Sequence, residues 1–277
     1  MHIEPLIDIA IGEDIGDGDH TSLACIPPHA TGKAQLLVKE KGILAGMELA
    51  QHIFHKIDPQ LIFTPLLNDG NPIVPGDIAF YIEGNSRSIL QAERLVLNFM
   101  QRMSGIATNT FYYTQLLQGL KTKILDTRKT TPGLREIEKW AVKIGGGVNH
   151  RMGLYDMIMI KDNHIDYAGG IEKAINTTLR YLSENSLTLK IEIEARNLNE
   201  LNEILNVGKI DRIMLDNFSF EDLKTAVRKI DGKYETEASG GITEKTIREY
   251  AECGVDYISV GALTHQIKSL DLSLKAI

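Results

Sequence analysis

An α/β architecture, with an incomplete TIM-like barrel behind a smaller α+β domain, is what the pattern of this chain predicts. From about residue 121 onward, short runs of Ile, Leu, Val and Met alternate with amphipathic stretches, separated by polar or Gly-containing loops. Each run is nearly all apolar, as a strand must be when helices cover both faces of its sheet, and the short loops between strand and helix imply parallel pairing. Six such strands are countable, fewer than the eight of a closed barrel, which predicts a shortened or open one.

Residues 1–109 read differently and are assigned to the N-terminal α+β domain. They show alternation over 32–41, turn signals at Asn68-Asp69-Gly70-Asn71-Pro72 and Pro75-Gly76-Asp77, and a helix-like stretch over 87–104. Residues 110–277 are assigned to the barrel, with the last few residues expected to pack back on the first domain. Barrel strands are predicted at 123–125, 157–160, 189–193, 212–215, 234–238 and 257–260, and helices at 134–144, 171–183, 198–205, 220–230 and 243–253. No repeat of fixed period and no low-complexity segment interrupts this order.

Composition sets the outer limits. With 277 residues, 43% hydrophobic and 24% charged, the chain is of ordinary globular type. Its start lacks a basic segment and meets acidic residues at once, and no apolar run reaches the length of a membrane span, so a cytoplasmic protein with no membrane partner is expected. Cys25 and Cys253 stand far apart with no second ligand at metal spacing, which leaves them as buried or incidental thiols. A formal net charge of −7 argues against nucleic acid as a partner and requires that any anionic substrate be met by a local cationic cluster.

That cluster stands where a parallel barrel places its chemistry, at the C-terminal strand ends. In chain order the strand ends carry Asp126-Thr127-Arg128-Lys129, Lys161-Asp162-Asn163-His164, Glu194, Asp216-Asn217, Ser239-Gly240-Gly241 and Gly261. A lone Arg or Lys is usually a solvated charge, but Arg128, Lys129, His150, Arg151 and Lys161 together predict a ligand with several negative charges. Arg offers a planar fork for carboxylate, and Lys a point charge for phosphate. Glu194 and Asp216 each end an apolar strand; they read as partners of barrel cations, or as ligands of sugar hydroxyls with or without a divalent metal. Glu192 is expected to point away from Glu194. The glycine loops at Ser239-Gly240-Gly241 and Gly261 favour a phosphate site, since backbone N–H groups approach an anion closely there. Gly145-Gly146-Gly147 reads as a helix cap that shapes the loop carrying His150 and Arg151, Asp17-Gly18-Asp19-His20 as a turn rather than a metal loop, and Trp140 as packing.

The runs Thr127-Arg128-Lys129-Thr130-Thr131-Pro132-Gly133-Leu134-Arg135, Glu138-Lys139, Gly145-Gly146-Gly147-Val148-Asn149-His150-Arg151 and Ile160-Lys161-Asp162-Asn163-His164 closely resemble the quinolinate phosphoribosyltransferases. Glu13-Asp14-Ile15-Gly16-Asp17-Gly18-Asp19, Gln101-Arg102-Met103-Ser104-Gly105, Leu215-Asp216-Asn217 and Ser239-Gly240-Gly241-Ile242 extend the resemblance over nearly the whole chain. It implies a sandwich-like N-terminal domain, an incomplete barrel, magnesium as cofactor, and a homodimer with shared active sites, assembly to a hexamer being left open. It also implies residue roles: Arg102, Arg128, His150, Arg151 and Lys161 around the quinolinate carboxylates; Thr127 among the substrate contacts; Lys129, Glu194, Asp216, the Ser239–Gly241 loop and Gly261 around phosphoribosyl pyrophosphate and magnesium. Lys129, Glu194 and Asp216 would be catalytic, and Glu194 and Asp216 the metal ligands. The implied reaction yields nicotinate mononucleotide, pyrophosphate and CO2. A transferase for nicotinate, a catalytically idle paralogue used in metal-oxyanion transport or as a binding module, and a phosphate-binding barrel isomerase or aldolase are the alternatives; the last needs a Schiff-base lysine or an acid–base pair and leaves the Arg128, Arg151 and Lys161 grouping unexplained.

Overall fold

The computed structural model describes residues 3–277. The chain divides into two compact units: the first takes the N-terminal part through Tyr112 together with Lys129–Gly146 and Ala262–Ile277, and the second takes Tyr113–Arg128 and Gly147–Gly261. In chain order the elements are α1 (Glu4–Ile15), α2 (His20–Cys25), β1 (Thr31–Val38), β2 (Gly42–Ile43), α3 (Met47–Ile57), β3 (Ile62–Pro65), β4 (Pro72–Ile73), β5 (Ile78–Asn85) and α4 (Ser86–Leu116). Then come β6 (Lys123–Leu125), α5 (Arg135–Ile144), β7 (Ile158–Ile160), α6 (Asp162–Ala168), α7 (Ile171–Glu184), β8 (Ile191–Ala195), α8 (Leu198–Val207), β9 (Arg212–Asp216) and α9 (Phe220–Ile230). The chain closes with β10 (Glu235–Ser239), α10 (Ile247–Glu252), β11 (Tyr257–Ser259), α11 (Ala262–His265) and β12 (Leu272–Ala276).

In the first unit a four-stranded antiparallel sheet runs in the order β12-β1-β5-β3, and β2 pairs with β4. Alternation along β1 buries Ala34, Leu36 and Val38 on one face. Phe54 of α3 and Phe80 of β5 are fully buried and meet Phe63, whose ring centroid lies 4.5 Å from that of Phe80. The expected helix over 87–104 runs on as one 31-residue element. Gly105 does not stop it, because that glycine answers a packing demand: a Cβ there would sit 3.1 Å from the Lys268 carbonyl carbon and closer still to its oxygen. Asp17-Gly18-Asp19-His20 forms the approach to α2, where Asp19 Oδ1 caps the helix by accepting from the Ser22 N–H at 3.0 Å.

The second unit is built on a six-stranded, all-parallel sheet in the order β6-β11-β10-β9-β8-β7. Its two end strands follow one another in the chain, so the order is circular with one seam, between β6 and β7; this is the incomplete barrel. A single parallel bridge between Leu125 and Val148 extends the β6 edge. Strands β6, β9 and β11 start where expected, whereas β8 lies two residues further on than 189–193. Helix α6, seven residues long, was not anticipated: Asp-Asn-His-Ile-Asp-Tyr-Ala carries one buried side chain, Ile165, and so has no apolar period. Cys253 is buried and Cys25 exposed.

Candidate active site

The strand ends of the second unit collect most of the expected residues. Thr127 and Arg128 follow β6, and Arg128 is exposed. His150 and Arg151 close the glycine loop after α5, Lys161 follows β7, Glu194 sits on β8 and Asp216 ends β9. Ser239 ends β10 and leads into Gly240 and Gly241, and Gly261 follows β11.

Two charge groupings result. Arg151 and Arg128 lie close enough that burial first, and then the positive charge of Arg128, weakens the hold of the Arg151 guanidinium on its proton. Like charges within reach of each other's field are unfavourable until an anion joins them. The second grouping is acidic. Burial and the charge of Asp216 push the Glu194 carboxyl above its ordinary range, against the pull of Lys161, whose Nζ lies 3.8 Å from Glu194 Oε2. Two oxygen-donor side chains on adjacent parallel strands are chemically suited to sugar hydroxyls or a hard divalent cation.

The glycine loop is shaped by its neighbour. Gly240 and Gly241 have φ of +96° and +60°, the left-handed region that favours glycine. A Cβ on Gly240 would fall 2.9 Å from the Asn217 backbone nitrogen, whose N–H in turn donates to the Ser239 carbonyl at 2.9 Å. Around Gly241 a Cβ would meet open space. The loop therefore presents backbone, without side chains, to whatever lies above it.

Arg102 and Lys129 belong to the first unit. Arg102 Nε donates to Glu138 Oε1 at 3.0 Å, and Nη2 donates to the Thr131 hydroxyl at 2.7 Å. The carboxylate of Glu138 is fully buried and also accepts from the Thr131 N–H at 3.2 Å. Lys129 is exposed, with its carbonyl accepting from the Thr264 hydroxyl at 2.9 Å.

Charged residues with no role in the sequence reading occupy the barrel interior. Glu192 does not point away from Glu194: positions two apart on a strand share a face, and both are buried. Glu192 and Glu237, each fully buried, place an oxygen 3.0 Å and 3.3 Å from His150 Nε2. Arg212 stands on the far side, its Nη1 3.3 Å from Glu237 and its Nη2 3.0 Å from Glu235, with its guanidinium over the Tyr257 ring at 4.3 Å. Burial alone would lower the His150 pKa, yet hydrogen bonds and charge from Glu192 and Glu237 carry it up to about 9. Opposing a second proton, Nδ1 accepts the Arg151 N–H at 2.7 Å. Asp126, also fully buried, accepts from the His150 N–H at 2.8 Å. In sequence, Glu192 stands between Ile191 and Ile193 and Glu237 between Thr236 and Ala238, patterns that do not by themselves distinguish a buried carboxylate from a solvated one.

Known proteins resemble this chain in sequence and fold. The family described as quinolinate phosphoribosyl transferase, C-terminal domain, matches residues 106–275, and its N-terminal domain counterpart matches residues 19–104. A Nicotiana tabacum quinolinate phosphoribosyltransferase [decarboxylating] 1b is 47% identical over 99% of this chain and 82% of its own length. The crystal structure of NadC from Streptococcus pyogenes has a TM-score of 0.93 at 39% identity, covering 99% of this chain and 97% of that one. The nicotinate-nucleotide pyrophosphorylase from Francisella tularensis has a TM-score of 0.91 at 41% identity, covering 99% and 96%. By family match, by full-length identity and by fold, this chain belongs to the quinolinate phosphoribosyltransferases.

Proposed function

We propose that this chain transfers the phosphoribosyl group of phosphoribosyl pyrophosphate to quinolinate with loss of CO2, as a cytoplasmic enzyme of NAD biosynthesis. The observation that carries the reading is the gathering of Arg128, Arg151 and Lys161 at the strand ends of one parallel sheet, where the charge of Arg128 acts on Arg151, an electrostatic demand that a dicarboxylate meets. Arg128, Arg151 and Lys161 take the two carboxylates, with Arg102 supplied by a second copy of the chain. Thr127, Lys129, the Ser239-Gly240-Gly241 loop and Gly261 take the phosphates, and Glu194 and Asp216 the ribose side. Glu194, its pKa raised first by burial and then by the charge of Asp216, and Asp216 beside it are the oxygen donors that would hold a magnesium ion with the diphosphate. When bound, the metal neutralises the charge of the departing pyrophosphate.

The chain's own groups then do the following. Guanidiniums and Lys161 fix the ring so that its nitrogen faces the anomeric carbon. As the bond to pyrophosphate breaks, positive charge grows on the ribose, and Glu194 and Asp216 stabilise it. The new pyridinium withdraws electrons from the adjacent carbon–carboxylate bond; CO2 leaves, and a proton takes its place. No protein nucleophile is required. Support for a homodimer comes from Leu154, Tyr155 and Tyr167, apolar side chains 74%, 74% and 90% exposed that flank the seam strand β7 in sequence. Incubation with carboxyl-labelled quinolinate, phosphoribosyl pyrophosphate and magnesium tests the proposal. Labelled CO2 and nicotinate mononucleotide are expected in equal amounts; nucleotide formed from nicotinate but not from quinolinate would overturn it.

A further inference from the structure

We infer that Glu192, Glu237 and Asp126 are positioning residues for substrate recognition: acting through His150, they fix the backbone that aims Arg151 beside Arg128. The inference rests on the proposed reading that these two guanidiniums bind the substrate carboxylates.

The two nitrogens of the His150 imidazole face different partners. Nδ1 of His150 accepts the Arg151 N–H at 2.7 Å and must keep its lone pair there. Nε2 lies within ion-pair distance of Glu192 and Glu237, 3.0 Å and 3.3 Å away, and the side chain is only 5% exposed. One ring nitrogen thus meets the Arg151 backbone and the other the buried carboxylates.

His150, Glu192 and Glu237 also form a cluster whose ligand-type atoms lie within 4.8 Å of one another, the arrangement a metal ion would use. Two features oppose a metal. Coordination needs the Nε2 lone pair, and a ring whose Nδ1 already accepts an N–H could supply it only as an imidazolate. The cationic place beside the carboxylates is also filled, by Arg212 at 3.3 Å from Glu237 and 3.8 Å from Glu192. The cluster is a brace of buried carboxylates and Arg212, with Glu235 and Tyr257 beyond it.

The brace reaches two strand ends. Asp126, the residue before Thr127-Arg128, holds the His150 backbone at 2.8 Å; His150 in turn holds the Arg151 backbone. The preceding segment, Gly145-Gly146-Gly147, has little intrinsic stiffness, so the Arg151 backbone depends on these buried contacts together with the Val148 bridge to β6, while its guanidinium also donates to the Met157 carbonyl at 3.3 Å. Displacements near 1 Å at a binding group are enough to cost orders of magnitude in rate.

The test is a double-mutant cycle on the full-length enzyme, read as quinolinate and phosphoribosyl pyrophosphate constants. Glu237→Gln keeps shape and removes charge; it should raise the quinolinate KM by roughly ten- to a hundredfold and leave the phosphoribosyl pyrophosphate KM within about twofold. In an Arg151→Ala background the same change should add nothing, because the residue it positions is gone. His150→Asn retains a side-chain oxygen near the Arg151 N–H and should recover part of the quinolinate affinity lost in His150→Ala. That rescue decides the matter should Glu237→Gln fail to fold. Equal losses for both substrates, an undiminished Glu237→Gln effect without Arg151, or no rescue by Asn would overturn the inference. Wild-type enzyme without quinolinate affinity would overturn the functional reading itself.

Discussion

Replacing Arg102 by Ala strands a buried charge. Glu138 is fully buried, and its Oε1 receives both Nε and Nη2 of Arg102, leaving only the Thr131 N–H at 3.2 Å when the guanidinium is removed. Breaking a fully buried ion pair from one side costs about 3–5 kcal/mol, since the remaining ion keeps its desolvation penalty. Arg102 is 25% exposed, so water can enter the vacated space, and the expected loss falls to about 2–3 kcal/mol. That is a factor of roughly 30–150 in the folding constant. Urea unfolding should show a lower midpoint with an unchanged slope. Adding Glu138→Gln removes the stranded charge and should restore about 1 kcal/mol. A loss below about 0.5 kcal/mol for Arg102→Ala, or further destabilisation on adding Glu138→Gln, would refute the account. The outcome bears on catalysis as well: an Arg held this firmly within its own chain presents a preorganised side to a partner's site.

Mixing Arg102→Ala with Lys161→Ala chains under conditions of subunit exchange should restore activity if sites are shared, because one site of the mixed dimer is then intact; continued inactivity after proven exchange would exclude sharing. Gly240→Ala places a Cβ 2.9 Å from the Asn217 nitrogen at a φ of +96°, and should cost about 2–4 kcal/mol while weakening phosphoribosyl pyrophosphate binding more than quinolinate binding, as calorimetric titration would show. For Asp256, burial works to raise the pKa, but hydrogen bonds from the Thr236 hydroxyl and N–H, with Lys121, prevail and hold it below its ordinary 3.8. Its contribution to stability is present above pH 3.8 and is lost as pH falls through the lowered value, so the stability gap between wild type and Asp256→Asn should narrow in acid denaturation over that range.

The strand ends were legible because they follow a rule of position: apolar runs end, and Asp126-Thr127-Arg128, Lys161, Glu194, Asp216 and Ser239-Gly240-Gly241 stand directly after or at those ends. What escaped the sequence depended on closure. Glu192 and Glu237 sit on different strands, and only the curvature of the sheet brings their oxygens to the same imidazole. Local pattern cannot show that a charge will be buried. Helix α4 passed its expected end at Ser104, since Gly105 serves the close approach of Lys268 and does not end the helix. Helix α6 was invisible for the opposite reason: it is held by its ends, where the Lys161 N–H donates to His164 Nδ1 at 3.0 Å, and not by an apolar face.

Strand β12 lies beside β1, pairing Leu274 with Leu36 and Leu272 with Val38. During synthesis β1 and β5 leave the ribosome before any barrel strand, yet the neighbour of β1 on its other side emerges only after all six of them. Until then β1 exposes a row of unpaired N–H and C=O groups next to buried-type leucines, an edge that invites pairing with another nascent chain. A premature stop within β12 would leave every strand of the barrel in the product and still deprive the earlier-made sheet of its border.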